Sequence, residues 1–185
     1  MGDPAGVGPE ICLRAAAHPE VQTLGQALIF GDAGVLRRCA AQLRLPLPAQ
    51  ILAMADWPAA LGESTAPAII DCQMIDAAAL QPGVMNAATG LASYTYIQRA
   101  IDAALAGQVQ AVTTGPINKL ALHDAGINFP GHTEMFAERC AAPRSAMMQF
   151  SPEITCTFVT VHVGYAEVPR LLTVERILDT IELTA

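Results

Sequence analysis

The sequence predicts an α/β protein, a three-layer and mostly parallel sheet with helices on both faces. Three observations carry that prediction. Short apolar runs of strand length recur at 26–30 (QALIF), 67–72 (PAIIDC) and 109–113 (VQAVT). Between them lie stretches whose apolar residues fall three and four apart, the spacing of one helix face. The two kinds alternate almost throughout, as βαβ units require.

Taken in order, residues 1–10 read MGDPAGVGPE, a glycine- and proline-rich turn into a helix with Pro9 and Glu10 at its start. That helix runs to Ala17, where His18-Pro19 stops it. Gly2, Gly6 and Gly8 have neither the dinucleotide-binding nor the Walker spacing. A strand at 26–30 closes on Gly31-Asp32. A helix follows over 33–45, with Leu36, Ala40 and Leu43 on one face, and Pro46 and Pro48 break it. Strands are expected at 50–54 and 67–72, with a loop or helical turn at 58–66.

Residues 87–106 form the longest helix, its buried face expected at Leu91, Tyr94, Ile97, Ile101, Ala104 and Leu105, capped by Gly107. A strand at 109–113 delivers the chain into TGPINKLALHDAGINFPGHTE. Here Asn118 caps a short helix to Asp124, Gly126 ends it, and Gly131-His132-Thr133 starts another. Strands at 146–150 and 154–161 and a helix at 173–183 complete the pattern. The division falls between a first α/β domain, 1–113, and an active-site segment opening a second, 114–185.

Composition limits the function. Of the residues, 52% are hydrophobic and 15% charged, enough to bury a large core and too apolar for disorder. A net charge of −7 argues against a nucleic-acid partner, although local cations or backbone N–H groups can still bind a small anion. The five cysteines are odd in number and form no C-x-x-C pair, so they read as small buried hydrophobes in a reducing compartment. No run approaches the roughly 18 apolar residues of a membrane span. The opening has no basic segment of a signal peptide. A soluble, cytoplasmic protein is expected.

The polar residues of 114–134 stand out in so apolar a chain. His132, at a helix start, is either a solvated turn histidine or a hydrogen-bonding and proton-transfer group on an anionic or hydroxyl-rich ligand. Thr133 is either an N-cap or a ligand contact. Lys119 is either solvated or a phosphate or carboxylate contact. His162, at the end of the 154–161 strand, is either a core histidine or a ligand, and it has no partner at helical spacing to complete a metal site.

Together, MGDPAGVGPE, TGPINKLALHDAGINFPGHTE and the TVHV strand end resemble the 4-hydroxythreonine-4-phosphate dehydrogenase family (PdxA) of pyridoxal phosphate biosynthesis, which includes D-threonate and D-erythronate 4-phosphate relatives. The resemblance runs over essentially the whole chain. It implies a divalent metal (Zn, Mg or Co), NAD or NADP, a phosphorylated small-molecule substrate, and oxidation of an alcohol to a 3-keto acid that decarboxylates. It also implies an isocitrate/isopropylmalate-dehydrogenase-like homodimer with a shared active site. By the same resemblance His132 and Thr133 contact substrate and His162 is one of three metal histidines. Family members are close to twice this length, so the C-terminal half, the other two histidines, the nucleotide site and the first strand are expected to be missing. The chain by itself is expected to be inactive.

Overall fold

The computed structural model describes residues 1–185, which divide into two compact units, Met1–Asn128 and Phe129–Ala185. The first contains helices α1 (Gly8–Ala17), α2 (Pro19–Leu24), α3 (Ala33–Leu43), α4 (Trp57–Ala60), α5 (Ala87–Leu105) and α6 (Lys119–Asp124). Its strands are β1 (Leu28–Gly31), β2 (Gln50–Ala53) and β3 (Ala68–Asp71). They form one parallel sheet in the order β1-β3-β2, with Ile69 facing Ile29 on one side and Ile51 on the other.

The alternation of β3 divides the core. Ile69 packs with Leu13, Leu36, Ala92 and Tyr96, from α1, α3 and α5. Its neighbour Ile70 packs with Phe30, Trp57, Ala100 and Ala103. Successive side chains of a strand point to opposite faces, so each face of the sheet has its own apolar cluster. In the second, Phe30 and Trp57 meet edge to face with centroids 5.6 Å apart.

Several expectations change. His18-Pro19 ends α1, but Pro19 also starts α2, because proline suits the first helical turn. The 109–113 strand does not form. Met1 occupies the neighbouring edge of β1, its amine donating to the Phe30 carbonyl at 2.9 Å, and Asp3 N–H donates to the Pro116 carbonyl at 2.9 Å. Residues 109–113 therefore have no ladder partner, although Val109 and Val112 still pack against the Phe30–Ile70 cluster.

The buried face of α5 also differs. Thr89, Gly90, Ala92, Ser93, Tyr96, Ala100 and Ala103 are buried beside the expected Ile97 and Ile101, while Leu91 and Leu105 are exposed. Small residues let α6 approach closely, and a search for apolar bulk passes over them. A Cβ on Gly90 would collide with the Ala121 carbonyl of α6. Likewise on α3, Leu43 is exposed and Ala33, Val35, Leu36 and Ala40 are buried.

The second unit contains α7 (His132–Arg139), strands β4 (Met147–Phe150) and β5 (Thr155–Phe158), a 3-10 turn at Tyr165–Glu167, α8 (Val168–Leu171) and α9 (Val174–Thr184). Here the strands are antiparallel, Met147 facing Phe158. The connection from Phe150 to Thr155 is a tight turn, with Ser151 N–H donating to the Ile154 carbonyl at 2.8 Å, and it leaves no length for a parallel crossover. All five cysteines are free, and none is fully buried as expected: Cys12, Cys39 and Cys72 are half-buried, and Cys140 and Cys156 are exposed. No helix is long and apolar enough to cross a membrane.

Candidate functional site

In the first unit the two glycine-rich stretches of sequence interlock. Gly2 has a left-handed φ of 76°, and a Cβ there would lie 2.5 Å from the Pro116 carbonyl oxygen. A Cβ on Gly115 would run into the Met1 carbonyl, as would one on Gly8. These glycines are needed for backbone contact within the fold. Their missing side chains make no cradle for a pyrophosphate, so this loop does not fit a dinucleotide. Asp3 beside them is buried, with Oδ1 accepting from Ala5 N–H at 2.8 Å and Oδ2 accepting no hydrogen bond.

Beyond that turn, Asn118 caps α6 as its sequence predicts, Oδ1 accepting from Ala121 N–H at 2.9 Å. Lys119 follows in the first turn and is exposed. Gly126, with φ at 77°, ends the helix.

The second unit holds the other three candidates. Gly131 is the N-cap of α7 and contributes no side-chain bond, so Thr133 is not the cap. His132 and Thr133 form the half-buried first turn, and His132 Nε2 is shielded from solvent. His162 does not end a strand. β5 stops at Phe158, which pairs with the first residue of β4, and the ladder has no further partner. Four residues on, His162 takes a left-handed φ of 57°, which turns the chain out of the strand direction. That turn brings its imidazole to Gly131, whose Cβ position would lie 3.8 Å from His162 Nε2.

Glu134 joins them. Its Oε2 would lie 3.5 Å from the same Cβ position, and it is buried without a hydrogen-bond partner. The sequence shows Glu134 only as a first-turn acid suited to the helix dipole, and nothing in its spacing links it to residue 162. Thr133 and Glu134 also line a cavity of about 410 Å³ with Arg144, Val161, Arg176 and Asp179. Arg144 is held there by Asp179 and Glu182 of α9, both at 2.7 Å, and Arg176 Nε donates to the Val159 carbonyl at 2.9 Å.

The donor set of His162 and Glu134, an imidazole nitrogen and a carboxylate oxygen, suits a divalent cation. No group of three or more His, Cys, Asp or Glu side chains able to hold one comes together in the chain. Two donors leave most positions around a cation to water or to other ligands.

The family model described as pyridoxal phosphate biosynthetic protein PdxA matches residues 23–185. The chain belongs to the PdxA family. Among PdxA relatives, a 4-hydroxythreonine-4-phosphate dehydrogenase of Trichlorobacter lovleyi is 35% identical over all of this chain and 55% of its own length. A D-threonate 4-phosphate dehydrogenase of Pectobacterium atrosepticum is 35% identical over 99% of the chain and 56% of its own length. The crystal structure of a 4-hydroxythreonine-4-phosphate dehydrogenase from Klebsiella pneumoniae superposes with a TM-score of 0.84 at 35% identity, over all of this chain and 55% of that one. The chain thus spans about half the length of the PdxA relatives it matches.

Proposed function

We propose that this chain forms one half of a metal-dependent, NAD(P)-linked dehydrogenase that oxidises 4-phosphohydroxy-L-threonine to a 3-keto acid, which then decarboxylates, in pyridoxal phosphate biosynthesis. The observation that carries the proposal is the family match over 23–185, which includes the whole GHTE turn and His162. In the whole protein we place a three-layer, isocitrate/isopropylmalate-dehydrogenase-like subunit, domains dividing near 113/114, and a homodimer sharing its active sites.

His132 is assigned a substrate contact and the acceptance or relay of the hydroxyl proton. Thr133, beside it on the first turn of α7, is assigned a hydrogen bond to substrate. Lys119, in the first unit, is assigned a contact to phosphate or carboxylate. His162 is assigned one ligand position on the metal, which when bound lowers the alcohol pKa and stabilises the developing negative charge. The nucleotide is left to the remaining half, because the glycine-rich loop of this one fills its own space.

A second substrate, D-threonate 4-phosphate, is favoured by the Pectobacterium relative, which matches at the same identity as the first. Both substrates are assayed with the whole protein, NAD+ or NADP+, and Zn, Mg or Co. The expected result is reduction of the nucleotide with one of the two, and a loss of roughly 10²–10⁴-fold in kcat/KM in His132→Ala. The 185-residue chain by itself is expected to give no turnover; steady NADH formation by it would refute the assignment of the nucleotide site elsewhere.

A further inference from the structure

Gly131 is extended, with φ at −176°, a conformation any residue adopts, so its backbone does not call for glycine. What glycine provides is space. The point where a Cβ would stand lies 3.5 Å from Glu134 Oε2 and 3.8 Å from His162 Nε2, so two side chains distant in sequence address one small volume.

Neither group reaches that volume without cost. Glu134 Oε2 is buried with no hydrogen-bond partner, and a carboxylate oxygen left in that state calls for a cation or a donor. His162 holds a left-handed backbone that side chains other than glycine rarely adopt. Arg44, Gln73 and Ala141 share that conformation, so at His162 its weight is the placement it gives, with the imidazole facing Gly131.

We propose that Glu134 is a metal ligand alongside His162, its carboxylate reaching the cation directly or through one water across the space that Gly131 leaves open. This rests on the assignment of His162 to the metal and adds a ligand from the helix that carries His132 and Thr133. One short turn then connects the substrate contacts to the metal. The remaining coordination positions fall to water or to groups outside this chain, since it assembles no cluster of three ligating side chains.

The test is a Co²⁺ titration of the 185-residue chain, read from paramagnetic shifts and broadening of the His162 imidazole resonances, with circular dichroism confirming the fold of each variant. Glu134→Gln is expected to weaken binding about ten- to a hundredfold, and Glu134→Asp to recover part of that loss. Gly131→Ala puts a methyl at ordinary contact distance from both groups, so it folds, and its occupation of the shared volume is expected to weaken binding as well. This variant carries the test if Glu134→Gln fails to fold. Wild-type affinity in Gly131→Ala and Glu134→Gln, with binding lost in His162→Ala, overturns the role of Glu134 and leaves His162 standing. Wild-type affinity in His162→Ala overturns the assignment of His162 itself. Absence of any Co²⁺ effect on the wild-type chain at millimolar concentration overturns the site.

Discussion

Tyr96 donates its phenolic hydrogen to Asp32 Oδ2 at 2.8 Å, joining two fully buried residues that are 64 positions apart. Asp32 stands in the strand-to-helix turn after β1 without capping α3 by its side chain, Tyr96 lies in the middle of α5, and the same carboxylate accepts from Met74 N–H at 2.8 Å and Ile75 N–H. A buried carboxylate is tolerated here because each of its oxygens has a donor. It fixes the turn after β1, the segment after β3 and the long helix to one point.

Asp32→Asn therefore should cost about 2–3 kcal/mol in urea unfolding, because an amide cannot accept at both positions and loses the charge-assisted bonds. Tyr96→Phe should cost about 1 kcal/mol, since Ile75 N–H still satisfies Oδ2. A double-mutant cycle should return a coupling energy clearly different from zero. Simple additivity would show that the bond contributes nothing to stability.

Alkaline pH should weaken the same region. Burial, with Asp32 next in effect, pushes the Cys72 thiol from 9.0 up to about 12. Burial and then Asp32 likewise raise Tyr96. Both are acids held neutral in the fold, so the unfolded chain releases their protons first. For Cys72 this stability is fully present below pH 9 and is lost as pH rises from 9 through about 12, and for Tyr96 the loss begins only at pH 10, the ordinary value of the phenol, each at up to about 1.4 kcal/mol per pH unit. Urea midpoints at pH 8, 9.5 and 10.5 should fall in the wild type and fall less steeply in Cys72→Ala. Equal slopes in both proteins would remove Cys72 as the cause.

Gly90→Ala decides between propensity and packing. Alanine is better than glycine inside a helix by about 1 kcal/mol, which would stabilise an isolated α5. In the fold its methyl meets the Ala121 backbone, and overpacking of that kind costs about 1–3 kcal/mol. Net destabilisation is expected, with hydrogen exchange accelerated across α6. Stabilisation by 1 kcal/mol instead would mean that the two helices separate freely.

How much was legible in the sequence differs from element to element. The long helix, the Asn118 cap and the start of α7 at Gly131 rest on local chemistry: periodicity, a side-chain acceptor placed to bond the Ala121 N–H, and a glycine before a polar first turn. Such features depend on neighbours within a few residues, so the chain states them directly. The β1, β2 and β3 strands were also legible as short apolar runs bounded by proline, glycine and aspartate, although the similar run at 109–113 formed no strand.

The buried face of α5, the unpaired segment 109–113 and the antiparallel hairpin of β4 and β5 were decided by partners far along the chain. Small residues look neutral in sequence and become decisive only when another backbone lies against them, as Ala121 does against Gly90. The candidate site follows the same division. By themselves, the residues of 114–134 marked a polar centre in an apolar chain and singled out His132, Thr133 and Lys119, while the expected strand end at 161 singled out His162. That His162 turns left-handed beyond the end of β5 and lies, like Glu134, beside Gly131 was decided by the tertiary structure alone. Residues 131 and 162 share no local pattern, and only the packing of their unit brings their atoms to one point.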